Sequence, residues 1–194
     1  MLTERDKEVL KWIEDYKAIS VPQCTELFFN KNYEGCRRRL KQLEDMELLH
    51  SYISQLTREK IYYQDKKLKD HDLLVYDFLK QVKKHDGNII DFKLQPRYLT
   101  GLIRPDAFVT FEYHNSVYFT LLEVDYTHYT SNIKMQLYEK LFKSGQLQDN
   151  CCGHFPIVII SRPSLGDVRY NSSHFELIYT ELTYSSLNYF LFLS

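Results

Sequence analysis

No stretch of this chain reaches the roughly 18 consecutive apolar residues that a membrane span needs, and the apolar run near Asn188 to Leu193 is too short. A membrane partner is therefore not expected. There is no glycine-rich phosphate loop, which argues against nucleotide hydrolysis, and no serine or cysteine stands in a nucleophile constellation. Cysteine is scarce: Cys24, Cys36, Cys151 and Cys152 include no pair at the spacing of zinc ligands. Cys151 and Cys152 with His154 come nearest, and buried or loop thiols are the favoured reading. The opening Met1-Leu2-Thr3-Glu4-Arg5-Asp6-Lys7 has no apolar h-region and reads as a capped helix start instead of a signal peptide. A cytoplasmic protein with reduced thiols is the expectation. An excess of either charge is also missing. The net charge is −1, so any nucleic-acid contact has to come from a local patch.

What the chain has is enough apolar and aromatic material for a core. The 16 tyrosines and 12 phenylalanines among 194 residues point to many half-buried sheet positions. Two blocks separate at the charged stretch Gln64 to Asp70, which gives expected domains of 1–67 and 68–194. Thr3, with Asp6 three residues on, caps a first helix carrying Val9, Leu10, Ile13 and Tyr16. Ser20 caps a second, with Pro22 in its first turn. A third begins near Tyr33, with Cys36, Leu40 and Leu43 on one face. Leu48 to Ile53 and Lys60 to Gln64 then read as two strands joined by a polar turn. Three helices followed by a hairpin is the order of a winged helix-turn-helix.

The third helix bears Arg37, Arg38, Arg39 and Lys41. With Cys36, Leu40 and Leu43 buried, Arg37, Arg38 and Lys41 point away from the core, as a recognition helix meeting phosphates and base edges requires. Arg39 flanks the buried stripe and suits a structural ion pair. Arg58 and Lys60 on the expected wing are placed to touch the DNA backbone. A solvated helix face is the competing reading. Residues 1–67 hold 13 basic and 12 acidic side chains, so this basic face is local and its binding should be sensitive to salt.

The second block reads helix (71–84), short strand (89–92), two longer strands (103–113 and 117–124), helix (132–144) and buried strand (155–161). A further strand at 175–180 and a closing helix are expected after it. His114-Asn115 suits a two-residue turn, since both residue types tolerate positive φ. That turn sets Asp106 opposite Glu123 and Arg104 opposite Asp125, all on one face at one end of the hairpin. Opposed like charges need compensation. One solution is a divalent cation, Mg²⁺ or Mn²⁺, held by Asp106, Glu123 and Asp125, which activates water and stabilises charge on a phosphate. The other is Arg104 neutralising the acids as a structural network.

Pro105-Asp106 followed by Glu123-Val124-Asp125, after a helix and strand and before a helix, resembles the PD-(D/E)xK nuclease superfamily with its αβββαβ core. The resemblance implies an α+β fold, metal binding by Asp106 and Glu123, and a lysine that positions or activates water. Asp125 stands where that lysine is expected. Some members carry it on the following helix, which makes Lys134 the first catalytic candidate beside Asp106 and Glu123, and Lys140 the second. Over nearly the whole chain the pattern is also similar to the replication-relaxation proteins of Gram-positive plasmids and mobile elements. The residues carrying that likeness are Arg38-Arg39-Leu40, His71, the Pro-Asp pair and Glu-Val-Asp. It implies involvement in plasmid replication and DNA relaxation, with double-stranded DNA as the partner.

Three functions fit these residues. One is a DNA-binding accessory protein for replication or relaxation of a plasmid, phage or other mobile element, whose nuclease-like domain need not cut. Another is an active Mg-dependent DNA endonuclease, with Asp106 and Glu123 on the metal and Lys134 near the water. The third is a transcriptional regulator or anti-host factor acting through protein binding. Replication or host proteins, and a second copy in a homodimer, are the further partners considered.

Overall fold

The computed structural model describes residues 1–126, 128–166 and 170–192. It is a mixed α+β structure in two compact units, Met1–Lys84 and His85–Ser194. Among the described residues no helix is long and apolar enough to cross a membrane.

In the first unit α1 (Glu4–Tyr16) starts with a reciprocal cap. The Thr3 backbone N–H donates to the Asp6 carboxylate at 2.6 Å, and the Asp6 N–H donates to Thr3 Oγ1 at 3.3 Å. Two of the helix's orphan donors are satisfied in this way. Ser20 and Gln23 repeat the device at α2 (Val21–Phe28), which has Pro22 in its first turn. Asn32 opens α3 (Tyr33–Asp45) by accepting from Gly35 N–H at 2.9 Å. Cys36, Leu40 and Leu43 enter a core with Val9, Ile13, Ile19 and Leu49. The sequence did not announce β1 (Ala18–Ser20), too short for a period. It pairs antiparallel with β3 (Lys60–Tyr63), which also pairs with β2 (His50–Ile53), in the order β1-β3-β2.

The helix α4 (Asp70–Lys84), expected to open the second block, clusters with the first unit. Gln23 Nε2 donates to the Leu73 carbonyl and to Asp77 Oδ1, both at 3.0 Å, and the Tyr76 hydroxyl donates to the Tyr16 carbonyl at 2.6 Å. The compact units therefore divide after Lys84, where composition placed the boundary after residue 67. A charged stretch reports solvent exposure, not which core the next helix joins.

The second unit is a five-stranded sheet with the order β4-β5-β6-β7-β8. Its strands are β4 (Asn88–Leu94), β5 (Ala107–Tyr113), β6 (Ser116–Val124), β7 (Ile157–Arg162) and β8 (Leu177–Glu181). The first three are antiparallel, and β6, β7 and β8 run parallel. The helix α5 (Asn132–Ser144) makes the crossover from β6 to β7 and ends where Gly145 takes φ 70°. His114 and Asn115 adopt φ 47° and 61°, the two positive values of a primed hairpin turn, and Tyr113 pairs with Ser116. The register expected from that turn holds down to Ala107 opposite Leu122. β5 starts four residues later than expected because Pro105 has no N–H for the ladder. The core packs Leu121, Val158 and Ile160 from the sheet against Met135, Tyr138 and Leu141 of α5. A 3₁₀ turn, Ser185–Tyr189, stands where a closing helix was expected.

Candidate functional site

The hairpin register delivers Asp106 beside the end of β6. Its backbone N–H donates to the Leu122 carbonyl at 2.9 Å, and its Oδ2 accepts from the Val124 N–H at 2.7 Å. Glu123 lies in β6, one residue before Val124, with only 2% of its side chain exposed. Two side chains from α5 meet it. Lys134 Nζ is 2.5 Å from Oε2, and the Tyr138 hydroxyl donates to Oε1 at 2.6 Å. Lys134 and Tyr138 are four residues apart, hence on one helix face. Ser131, whose Oγ accepts from Lys134 N–H at 3.2 Å, caps the helix and fixes that face.

Burial pushes the Glu123 carboxyl up to about 7; the Lys134 charge opposes that rise, the Asp106 charge adds to it, and hydrogen bonds from Lys134 and Tyr138 oppose it. Burial and the Glu123 charge push the Tyr138 phenol well above its usual value, so Tyr138 is a fixed donor.

Asp125 has a different role. Its backbone N–H donates to the Ser161 carbonyl at 2.7 Å. Its Oδ1 accepts from both Thr130 N–H (2.7 Å) and Thr130 Oγ1 (2.6 Å), and its Oδ2 faces Arg162 Nη2 at 2.8 Å. Asp125 and Arg162 are 3% and 6% exposed. The Arg162 guanidinium lies over the rings of Tyr129 and Tyr179, 5.0 and 4.6 Å from their centroids. Both oxygens of Asp125 are thus engaged, as both of Glu123 are; the partners of Asp125 come from Thr130 and β7, those of Glu123 from α5. Arg104 is exposed and hydrogen-bonds Gln95, because the chain leaves the ladder at Pro105, so its expected place opposite Asp125 is not taken up. Lys140 is exposed further along α5.

Asp106 and Glu123 offer hard carboxylate oxygens, the donors Mg²⁺ and Mn²⁺ take, usually one or two per ion with water and phosphate completing the shell. Burial chiefly, and the Asp106 charge after it, disfavour the ionised Glu123; a dication favours that form, so the donor set fits such an ion. Among the described residues no three His, Cys, Asp or Glu side chains converge.

Three residues of this neighbourhood escaped sequence reasoning: Tyr138, Arg162 and Thr130. Tyr138 carried a usable signal, being one helical turn after Lys134. Arg162 sits at the end of an apolar strand and gave none.

On the first unit, Arg37 and Lys41 project from α3 and pair with neighbours on their own helix, Arg37 with Glu34 (3.0 Å) and Lys41 with Glu44 and Asp45 (3.2 and 2.8 Å). Arg38 is exposed and makes no ion pair among the described residues. It lines a shallow concavity along the outer face of α3 with Arg37, Lys41 and Gln42. Arg58, at φ 60°, is exposed at the β2–β3 turn. Lys60 instead turns back to Glu44 at 2.9 Å.

Arg39 is the structural cation its position suggested. Its Nη2 and Nε lie 2.6 and 2.9 Å from the two oxygens of Asp6. This hydrogen-bonded pairing, more than the Thr3 cap, holds the Asp6 carboxyl well below the usual carboxylate range. That contribution to stability is present above the ordinary carboxylate range and is lost as pH falls below it. Asp6→Ala removes cap and ion pair together. It should cost about 2 kcal/mol in the first unit's unfolding free energy, read by denaturant titration; an unchanged free energy would remove both roles from Asp6.

No family model matches the chain, and no curated protein and no solved structure matches it.

Proposed function

We propose that this is a duplex-DNA-binding protein with a metal-dependent phosphodiesterase centre of the PD-(D/E)xK type. In this reading residues 1–67 form a winged helix-turn-helix with α3 as its recognition helix, and the replication or relaxation of a mobile element is the setting. The observation that carries it is Lys134 on Glu123 at 2.5 Å with Asp106 just ahead of the neighbouring strand β5. It supplies the superfamily's cation from the following helix, where Asp125 replaces it in the strand motif. Asp106 and Glu123 would hold the metal. When bound, Mg²⁺ provides Lewis-acid stabilisation and lowers the pKa of a coordinated water. Glu123 holds the Lys134 ammonium beside the two acids, where it can orient water and stabilise charge on a phosphate oxygen. The Tyr138 hydroxyl restrains rotation of the Glu123 carboxylate.

The test is nicking of supercoiled plasmid by the wild-type protein with Mg²⁺ or with chelator. Cutting that needs the metal supports the centre; duplex binding without metal-dependent cutting leaves the accessory reading. That reading is favoured by one observation, that both Glu123 oxygens are already hydrogen-bonded.

DNA contact has its own test. The Arg37→Ala, Arg38→Ala double variant should bind a fluorescent duplex at least about tenfold more weakly near 0.1 M salt. The slope of log affinity against log salt should become shallower by about 2, since each lost phosphate contact removes roughly 0.9. An unchanged slope would show that α3 does not face the DNA.

A further inference from the structure

Asp125 occupies the strand position where the motif has its lysine, and it is bonded on every side. Through Oδ1 it accepts both the N–H and the hydroxyl of Thr130, five residues on. The next residue, Ser131, caps α5, and the first turn of α5 carries Lys134 to Glu123. On the other side Arg162 at the end of β7 neutralises Asp125, and the flanking Tyr129 and Tyr179 rings hold the guanidinium against it. A connected path therefore runs from β7 through Arg162, Asp125, Thr130 and Ser131 to Lys134.

We infer that Asp125, Thr130 and Arg162 are positioning residues: they fix the start of α5 so that Lys134 reaches Glu123. The exchange of residue types follows from this. A lysine at 125 would supply the cation directly from the strand. With the cation moved to α5, the start of the helix has to be pinned to the strand, and a buried carboxylate facing two Thr130 donors does so. Long side chains lose considerable freedom when held in one geometry, and a pinned helix start limits that loss to the side chain of Lys134 alone. The functional consequence rests on the phosphodiesterase reading above; the geometric part does not.

Asp125→Ala is the obvious variant, but it leaves Arg162 buried without its partner, so the test uses Thr130. Thr130→Val removes the hydroxyl donor and keeps the shape, while Thr130→Ser keeps the hydroxyl. Lys134 accessibility is read first, as acetylation by limiting acetic anhydride, quantified by mass spectrometry against Lys140 on the same helix. In Thr130→Val the Lys134/Lys140 ratio should rise at least about tenfold, the shift in equilibrium that one net hydrogen bond to a charged group sets. Thr130→Ser should match the wild type. In the nicking assay Thr130→Val should lower kcat about tenfold at saturating Mg²⁺ with KM for DNA unchanged, as expected when a residue outside the substrate contacts lets a group that acts in the transition state shift. An unchanged ratio in Thr130→Val, or a Thr130→Ser ratio that rises with it, overturns the positioning role. A raised ratio in Thr130→Val, with no nicking by the wild type, upholds positioning and overturns the phosphodiesterase reading instead.

Discussion

Glu123→Gln is expected to abolish Mg²⁺-dependent nicking, with a loss of at least about 100-fold, and to weaken Mg²⁺ binding in the same protein. Glutamine keeps the volume and can still accept from Tyr138, so the fold has little reason to change, but it offers the ion no charge. Lys134→Met separates the two functions of the cluster. Removing a positioned cation should cut nicking by roughly 10² or more, while calorimetry at a pH above 7 should find Mg²⁺ binding retained, because Lys134 and the ion compete for the same Oε2. Burial raises Glu123 to about 7, and Lys134 pulls it down, so without Lys134 the carboxyl should ionise only at still higher pH.

The sign for stability follows. The folded value lies above the unfolded one, so the contribution of Glu123 is present below the ordinary carboxylate range and is lost as pH rises through about 7. A dication that binds the ionised form reverses this trend. The rise in Tm caused by Mg²⁺ should therefore grow between roughly pH 6 and pH 8. A Lys134→Met protein that nicks at the wild-type rate would remove Lys134 from the centre.

The centre was legible in the sequence to the extent that a single turn dictated it. His114-Asn115 is a two-residue turn of the type its residues favour, and every pair from Tyr113–Ser116 to Ala107–Leu122 follows from it. Asp106 and Glu123 therefore meet, and Lys134 was within reach once α5 began at residue 132. The same register does not extend to Arg104, because the ladder stops at Pro105. Asp125, by its spacing of two, falls on the same face as Glu123. Its partner Arg162 arrives from a parallel strand 37 residues away, and no local pattern reports such a contact. The helix α4 shows the same limit at larger scale. Its length and period were clear, but its attachment to the first unit depends on the Gln23–Asp77 and Tyr76–Tyr16 contacts, which link segments more than fifty residues apart.

Arg162→Ala should be among the most destabilising single changes in the second unit. It strips the cation from Asp125, which is 3% exposed and whose carboxylate then stays in a low-dielectric site with only the Thr130 donors. Breaking a buried pair on one side typically costs about 3–5 kcal/mol, a large part of the roughly 5–15 kcal/mol that holds a domain together. The Tm of the second unit should fall by at least roughly 10 °C. The charge arithmetic makes a second, opposite claim. Asp125→Leu combined with Arg162→Met removes both charges and leaves the Tyr129 and Tyr179 rings an apolar side chain to pack on, and such replacements are often close to neutral. Calorimetric unfolding of the two proteins side by side should therefore find the double variant more stable than Arg162→Ala, although it differs from the wild type at one more position. Yet the same double variant has lost the acceptor that pins Thr130, so Lys134 should be acetylated faster in it while the unit stays folded. If it melts as low as Arg162→Ala, the pair contributes through shape and hydrogen bonds that leucine and methionine cannot replace, and the uncompensated charge is not the cause of the loss.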